Sequence, residues 1–146
     1  MFRFKLQRVL DVRRQVRERV EAELTSIQKR LEQAKGALQS LIDRRRASVE
    51  AFRERKTFAV EELKLFSHYV DGLALRIQHG KGTVSAIEVE LEDKISELLE
   101  ARRNEQVMER LREKEFGRYQ KEMAGKETAF LDEVALRRFS NVPPSE

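Results

Sequence analysis

The chain has 146 residues, 38% of them charged, a net charge of +4, and neither Cys nor Trp. This composition leaves too few bulky apolar side chains for the core of a thick globular domain, and it excludes disulfide bonds and Cys-ligated zinc frameworks. No apolar stretch approaches the roughly 20 residues of a membrane span, and the charged residues 11–19 argue against a signal peptide.

The charge is distributed unevenly along the chain. Residues 1–57 carry 16 Lys and Arg against 8 Asp and Glu, a net charge of +8, whereas residues 58–146 carry 14 against 18, a net charge of −4. Arms of opposite charge attract each other, which favours pairing within one chain over pairing of identical arms. The basic first arm also suggests nucleic acid, but a solvated face matched to its acidic partner explains the same charge and is the interpretation that we prefer.

Both arms repeat apolar residues in alternating steps of three and four, which is the spacing of a coiled-coil seam. No Pro precedes Pro143, so no residue before it breaks a helix outright. The two repeats comprise Leu24, Ile27, Leu31, Ala34, Leu38 and Leu41 in the first arm, and Leu63, Phe66, Val70, Leu73 and Ile77 in the second.

The chain offers two places for a reversal of direction, one at Gly80 and Gly82 and one near Thr57. Basic residues before Thr57 and acidic residues after it match the dipoles of a helix end and a helix start. A turn near Thr57 also builds a consistent seam, because it places Leu41 opposite Leu73, Leu38 opposite Ile77, and Gly80 opposite Ala34. We therefore favour the turn near Thr57.

The sequence thus predicts an all-α fold, a long two-helix antiparallel coiled-coil hairpin that forms one domain over residues 1–140. The predicted boundaries are helix 1 at about residues 4–55, the turn at about 55–59, helix 2 at about 60–138, and a disordered tail at 140–146.

No arrangement of residues predicts an enzyme. His68 and His79 are eleven positions apart and lack further ligands, so a metal site is not expected. The stretch from Gly80 to Gly82 lacks the spaced first glycine and the preceding strand of a phosphate-binding loop. Paired carboxylates such as Glu61 and Glu62 are expected on exposed helix, where no burial prepares them for acid–base work. We expect no catalytic residue, no metal, no cofactor and no small-molecule substrate.

Three blocks of the sequence stand out, and in their order and spacing they resemble the family of the flagellar type III export protein FliJ over nearly the full chain. The chain departs from the family pattern at Gly80, at Gly82, and at the basic residues 44–46, where some relatives place aromatic residues. The blocks are Phe2, Arg3, Phe4, Leu6, Val9, Leu10 and Arg13 at the start; Val60, Glu62, Leu63, Tyr69, Val70, Leu73 and Ile77 in the middle; and Leu131, Asp132, Glu133, Ala135 and Arg138 near the end.

The resemblance implies a role in flagellum biogenesis and flagellar protein export, and through them in chemotaxis. Family members are coiled coils similar to the central stalk of rotary ATPases. They bind the hexameric export ATPase and promote its activity, link it to the membrane export gate, and shuttle export chaperones. The implied location is the cytoplasm, at the cytoplasmic face of the cell membrane, where the protein associates peripherally through these partners. Nucleic acid is not an expected partner.

On this basis we expect two contact surfaces. The open end of the hairpin should contact the ATPase ring through Phe4, Leu6, Val9, Arg13, Leu131, Val134, Ala135 and Arg138. The middle of the hairpin should contact the cytosolic domain of the export gate through Leu38, Leu41, Tyr69, Leu73 and Arg76.

Two other classes of function remain open at this point. One is a generic coiled-coil scaffold or secretion chaperone, including the related stalk of virulence type III secretion, without ATPase stimulation. The other is a nucleic-acid-binding coiled coil, which rests on the basic first arm alone.

Overall fold

The computed structural model describes residues 1–141. Over these residues the chain forms two helices, α1 (Gln7–Arg53) and α2 (Val60–Ser140), and no strand. The predicted all-α fold, with two long helices packed as a hairpin, is confirmed. Of the tail predicted to be disordered, Ser140 belongs to α2, Asn141 forms a turn, and residues 142–146 lie outside the described residues.

The described chain is organised as two compact units. We name residues 18–100 the hairpin unit, because this unit contains the turn between α1 and α2. We name the other the terminal unit; it joins residues 1–17 to the part of α2 that begins at Ala101. The prediction of one domain over residues 1–140 stays a prediction.

Aromatic side chains close the reversal of the chain at residues 54–59, a segment without Gly. The ring of Phe52, at the end of α1, stacks on Phe66 of α2 with the ring centroids 4.1 Å apart. Phe58, from the turn itself, packs against Phe52 at 5.0 Å. Aromatic pairs at such distances stabilise a fold by about 0.5–1.5 kcal/mol beyond the effect of the area that they bury. The turn is therefore stabilised by side-chain packing and does not need the conformational freedom of a glycine.

Charges support the same turn. Arg55 donates a hydrogen bond to Glu62 at 2.5 Å and so ties the end of α1 to the first turn of α2. Gly80 and Gly82, the alternative site for a reversal, lie inside α2, which runs through both without interruption. Neither glycine has a positive φ, so no backbone conformation requires Gly at these positions.

The core of the hairpin unit is a single seam between α1 and α2. Val20 is fully buried there, and Ile27, Leu31, Leu73 and Leu98 are nearly so. Other members of the predicted seam, such as the two leucines Leu38 and Leu41, are only half-buried. Burial is incomplete because, in the described part of the chain, each helix has just one other helix against which to pack.

The predicted register of this seam is wrong by about one helical turn. Gly80 lies against Leu38, not opposite Ala34, because a Cβ atom built on Gly80 would be 3.1 Å from Leu38 Cδ1. The seam repeats every 3.5 residues, so a shift of three or four positions again sets apolar residues against apolar residues. The stacking of Phe52 on Phe66 fixes the register, and the apolar pattern alone does not contain it.

This register predicts a specific disulfide. A Cβ atom on Gly80 would lie 3.8 Å from Leu38 Cβ, which is close to the mean Cβ–Cβ distance of about 3.8 Å in disulfides. We expect the double variant Leu38→Cys, Gly80→Cys to form an intramolecular bond under mild oxidation, measured by the loss of free thiols and by mobility on non-reducing gels.

The matched control for the disulfide is Leu38→Cys with Gly82→Cys. A Cβ atom on Gly82 meets no heavy atom within 4 Å, so this pair should stay reduced within a monomer. Equal bond formation in both variants would contradict the register.

An ion pair joins α1 to α2 further from the turn. Lys94 Nζ lies 2.6 Å from Glu23 Oε2 and 2.9 Å from Glu97 Oε2. The hydrogen bond from Lys94 lowers the pKa of Glu23 below its ordinary 4.5, and the hydrogen bond to Glu23 raises the pKa of Lys94 above its ordinary 10.5. Each group therefore stays charged over a wider pH range when the protein is folded.

Acidification should weaken this ion pair. Since the pKa of Glu23 is lowered by folding, its stabilisation is fully present above pH 4.5 and is lost as the pH falls through the lowered pKa. We expect Glu23→Gln to flatten the acid-side decrease in the free energy of unfolding, measured by urea titrations at a series of acidic pH values. Glu32→Gln, a change at an exposed carboxylate of α1, is the control and should leave that slope unchanged.

Candidate partner-binding surfaces

An apolar groove runs along one face of the hairpin unit and has a volume of about 430 Å³. Small side chains, among them Ala34, Ala37 and Gly80, leave the surface of the two helices sunken, and Leu75 is 68% exposed beside them. The complete lining is Ala34, Ala37, Leu38 and Leu41 from α1, and Leu75, Arg76, His79, Gly80 and Thr83 from α2.

The groove contains three of the five residues that the sequence predicts for the export-gate contact. Leu38, Leu41 and Arg76 line it. Leu73 is only 2% exposed and belongs to the core of the hairpin unit, so it supports the surface without forming it. Tyr69 is 48% exposed but lies outside the lining. Leu75 and His79 are groove residues that the sequence analysis missed.

The chemistry of the groove is that of a binding surface. Its floor is apolar, while Arg76 and His79 supply polar groups. A surface of this kind accepts the apolar face of a partner helix. Within residues 1–141 no group of His, Asp and Glu is arranged to hold a metal ion, and neither described helix is long and apolar enough to cross a membrane.

In the terminal unit, an ion pair with a buried carboxylate fastens the start of α1 to α2. Arg17 donates from Nε to Glu105 Oε2 at 2.6 Å and from Nη2 to Glu105 Oε1 at 3.3 Å. Glu105 is 8% exposed, and Arg14 lies 3.8 Å from the same carboxylate and 3.6 Å from Glu109. A bidentate salt bridge of this geometry fixes the relative position of the two side chains and also neutralises their charges.

Glu105 should therefore matter more than its neighbour Glu109. We expect Glu105→Gln to lower the free energy of unfolding by roughly 1.5–3 kcal/mol, the range for hydrogen bonds to charged groups. Glu109→Gln removes the same charge from a half-exposed ion pair and should cost roughly 0–1 kcal/mol. Denaturant titration followed by circular dichroism measures both values, and equal effects would contradict a special role of the buried carboxylate of Glu105.

Aromatic packing closes the terminal unit ahead of this ion pair. The Phe2 ring meets Phe116 edge-on at 5.1 Å and Tyr119 at 5.5 Å. In the same terminal unit, Phe4 is 8% exposed and Leu10 is fully buried. The sequence analysis did not identify Phe116 and Tyr119, although their spacing of three residues continues the helical pattern of the second arm.

Beyond the aromatic cluster, α2 continues as an exposed segment. We name residues 121–141 the distal segment. All of them are exposed except Val134, which is half-buried. Several are large and apolar, with exposed fractions of 63% for Phe130, 70% for Leu136 and 83% for Phe139. The distal segment is thus a helix that presents apolar side chains to solvent.

The structure divides the predicted ATPase-ring residues into two groups. Leu131, Val134, Ala135 and Arg138 share one face of the distal segment, since their spacing of three and four positions brings them to one side of a helix. Leu131 follows Phe116, which packs on Phe2, by fifteen residues, or roughly 22 Å along the helix axis.

The other group lies at the start of the chain. Leu6, Val9 and Arg13 are exposed there, whereas Phe4 is buried in the core of the terminal unit. Because of its burial, Phe4 can act on a partner only by supporting the surface around it.

Comparison with known proteins agrees with this architecture. The model of a family described as "Flagellar FliJ protein" matches residues 2–143. Among solved structures, the protein CT670 from Chlamydia trachomatis, described as a YscO homologue, is similar with a TM-score of 0.55 and 19% identity, and the match covers 96% of each chain. At this identity the similarity shows the fold alone. No curated protein sequence matches the chain.

Proposed function

Because the chain belongs to the FliJ family of flagellar proteins, we propose that it is a stalk-like component of the flagellar type III export apparatus. In this role the distal segment binds the hexameric export ATPase and stimulates it, and the groove of the hairpin unit binds the cytosolic domain of the export gate. Export chaperones are further partners. The protein works by binding, not by catalysis, and it associates with the cytoplasmic face of the membrane through these partners.

The observation that carries the proposal is the exposure of the distal segment. Apolar side chains on a helix that no other part of the described chain covers are suited to insertion into a partner. Burying one large apolar side chain contributes about 1.5–3 kcal/mol before the cost of ordering is subtracted.

A positive charge on the Leu131 face of the distal segment adds an electrostatic part to the proposed contact. Arg138 is exposed and follows Leu131 by seven positions, so both project from one side of the distal segment. Arg137, in contrast, is engaged by Glu133 at 2.8 Å. We therefore assign the pairing with carboxylates of the ATPase ring to Arg138, and the apolar part of the contact to Leu131, Val134 and Ala135.

The second patch of the ATPase contact comprises Leu6, Val9 and Arg13, which are exposed near the start of the chain. Phe4 enters the proposal only as the buried support of this patch. The aromatic contact of Phe2 with Phe116 lies ahead of the distal segment, so a substitution on the distal segment tests that segment separately from this patch.

The gate contact is assigned to the groove. Leu38, Leu41 and Arg76 remain in the proposal, and Leu75 joins them because it is a large apolar residue of the lining that is 68% exposed. Tyr69 is kept as a separate exposed contact, and Leu73 stabilises the surface from the core.

One substitution on the distal segment tests the ATPase contact. We expect Leu131→Asp to reduce stimulation of the ATPase at least about tenfold, because a carboxylate cannot enter an apolar site without losing its hydration. The measurement is ATPase turnover with the purified export ATPase at a series of concentrations of this protein. Circular dichroism should show unchanged helicity, since Leu131 is 58% exposed.

The matched control is Leu136→Asp. Leu136 is also highly exposed, but at 100° per residue it faces roughly the opposite side of the helix. It should keep full stimulation. Loss of stimulation in both variants, or in neither, would contradict a contact through the face of Leu131.

The gate contact has its own test. We expect Leu75→Asp to weaken binding to the purified cytosolic domain of the export gate by about tenfold, measured by calorimetry, because the groove would lose its apolar character. Tyr69→Ala should weaken binding less, because Tyr69 lies outside the lining of the groove. Leu99→Asp, at an exposed position of α2 outside the groove, is the control. Unchanged binding in Leu75→Asp would remove the groove from the proposal.

A further inference from the structure

A second concave surface of the hairpin unit lies outside both contacts of the proposed function. It has a volume of about 450 Å³ and shares no lining residue with the apolar groove. Four cationic side chains line it, Arg45, Arg46 and Arg53 from α1 and Lys81 from α2, against one carboxylate, Glu50. We name this surface the basic pocket.

The cations of the basic pocket are not neutralised within residues 1–141. None of the four forms an ion pair or a hydrogen bond with another described side chain. Elsewhere in the hairpin unit, basic residues of α1 do find acidic partners on α2, as Arg30 does with Glu90 and Lys35 does with Glu88 at 4.0 Å. The charge balance between the two arms therefore fails locally at this pocket.

Beneath the cations lies an apolar floor. Ile42, Val49 and Ile77 line the pocket and are half-buried. Ile42 and Val49 are seven residues apart on α1, and so are Arg46 and Arg53, so each pair repeats on one side of the helix about two turns apart. The pocket thus combines a recessed apolar strip with cations along its edges.

We propose that the basic pocket binds an acidic amphipathic helix of a partner protein. The apolar side of such a helix packs on Ile42, Val49 and Ile77, as the third helix of a bundle packs into the trough between two others. Carboxylates seven residues apart on the flank of the partner helix form salt bridges with Arg46 and Arg53. Arg is suited to this contact because it binds carboxylates in bidentate geometry.

The composition of the pocket favours this partner over other anions. No aromatic side chain belongs to the pocket lining, although single-stranded nucleic acid is bound largely by stacking on aromatic rings. A membrane surface would require apolar side chains that project beyond the cations, whereas Ile42, Val49 and Ile77 are recessed and half-buried. An acidic amphipathic helix matches the pocket in both respects, because its apolar face can pack on the apolar floor and its carboxylates can pair with the cations at the edges.

The probe is a fluorescein-labelled peptide of three heptads, with Leu at the two core positions and Glu at the flanking positions of each heptad. Fluorescence anisotropy with the full chain measures its affinity. We expect saturable binding that weakens with added salt, no binding of the same peptide with Lys in place of Glu, and at least about tenfold weaker binding of a peptide of the same composition in scrambled order, which lacks an apolar face.

Charge-reversal variants locate the site. Arg46→Glu and Lys81→Glu should each weaken peptide binding at least about tenfold, because both side chains line the pocket. Arg44→Glu is the matched control: it makes the same charge change two residues away, at an exposed position outside the lining. Its affinity should stay within about twofold of that of the unchanged protein. All three positions are exposed, so helicity measured by circular dichroism should be the same in each variant.

Three results would overturn the proposal. The first is an absence of peptide binding to the unchanged protein. The second is equal loss of affinity in Arg44→Glu and Arg46→Glu, which would indicate general charge attraction. The third is tighter binding of a single-stranded oligonucleotide, or of vesicles containing phosphatidylserine, that Arg46→Glu abolishes. Because ATPase stimulation depends on the distal segment, these variants should retain it, so this proposal and the proposed function can fail separately.

Discussion

Over residues 1–141, each helix has only one other helix against which to bury its apolar side chains. A layer of two helices covers a side chain from one direction, so burial is confined to a narrow seam. Among the described residues only eight apolar side chains are buried, Leu10 and Val20 completely. Within residues 1–141, most side chains therefore lie on the surface, where they are available to partners.

Where the apolar seam is thin, charge and aromatic rings supply the specificity. Arg17 and Glu105 fix the start of α1 on α2, and Phe52 stacked on Phe66 fixes the end of α1 at the turn. Both contacts involve groups whose geometry allows little variation, a planar guanidinium on a carboxylate and two parallel rings. An apolar seam with a short repeat tolerates sliding, but these contacts do not.

The same constraint explains why several surfaces are left without a cover. α2 is longer than α1, with 81 residues against 47, so α1 cannot cover all of it, and the distal segment keeps Phe130 and Phe139 in solvent. Small residues such as Ala34 and Gly80 leave the groove open. At the basic pocket the facing side chains of α2 are Ile77 and Lys81, neither of which can neutralise the arginines of α1.

The sequence by itself determined the fold class and the family, because a 3.5-residue repeat, opposite charges in the two arms and three spaced blocks are local properties of the chain. It also grouped Leu131, Val134, Ala135 and Arg138 in one expected contact, and Leu38, Leu41 and Arg76 in another.

Only the tertiary structure decided the register of the hairpin. Sliding one helix along the other by one turn preserves the apolar pattern, so the sequence does not show that Leu38 packs against Gly80. It also placed Phe4 in the core and left the cations of the basic pocket unpaired. Burial and ion pairing depend on which residue of the other helix lies opposite, and that is a property of packing, not of spacing along one chain.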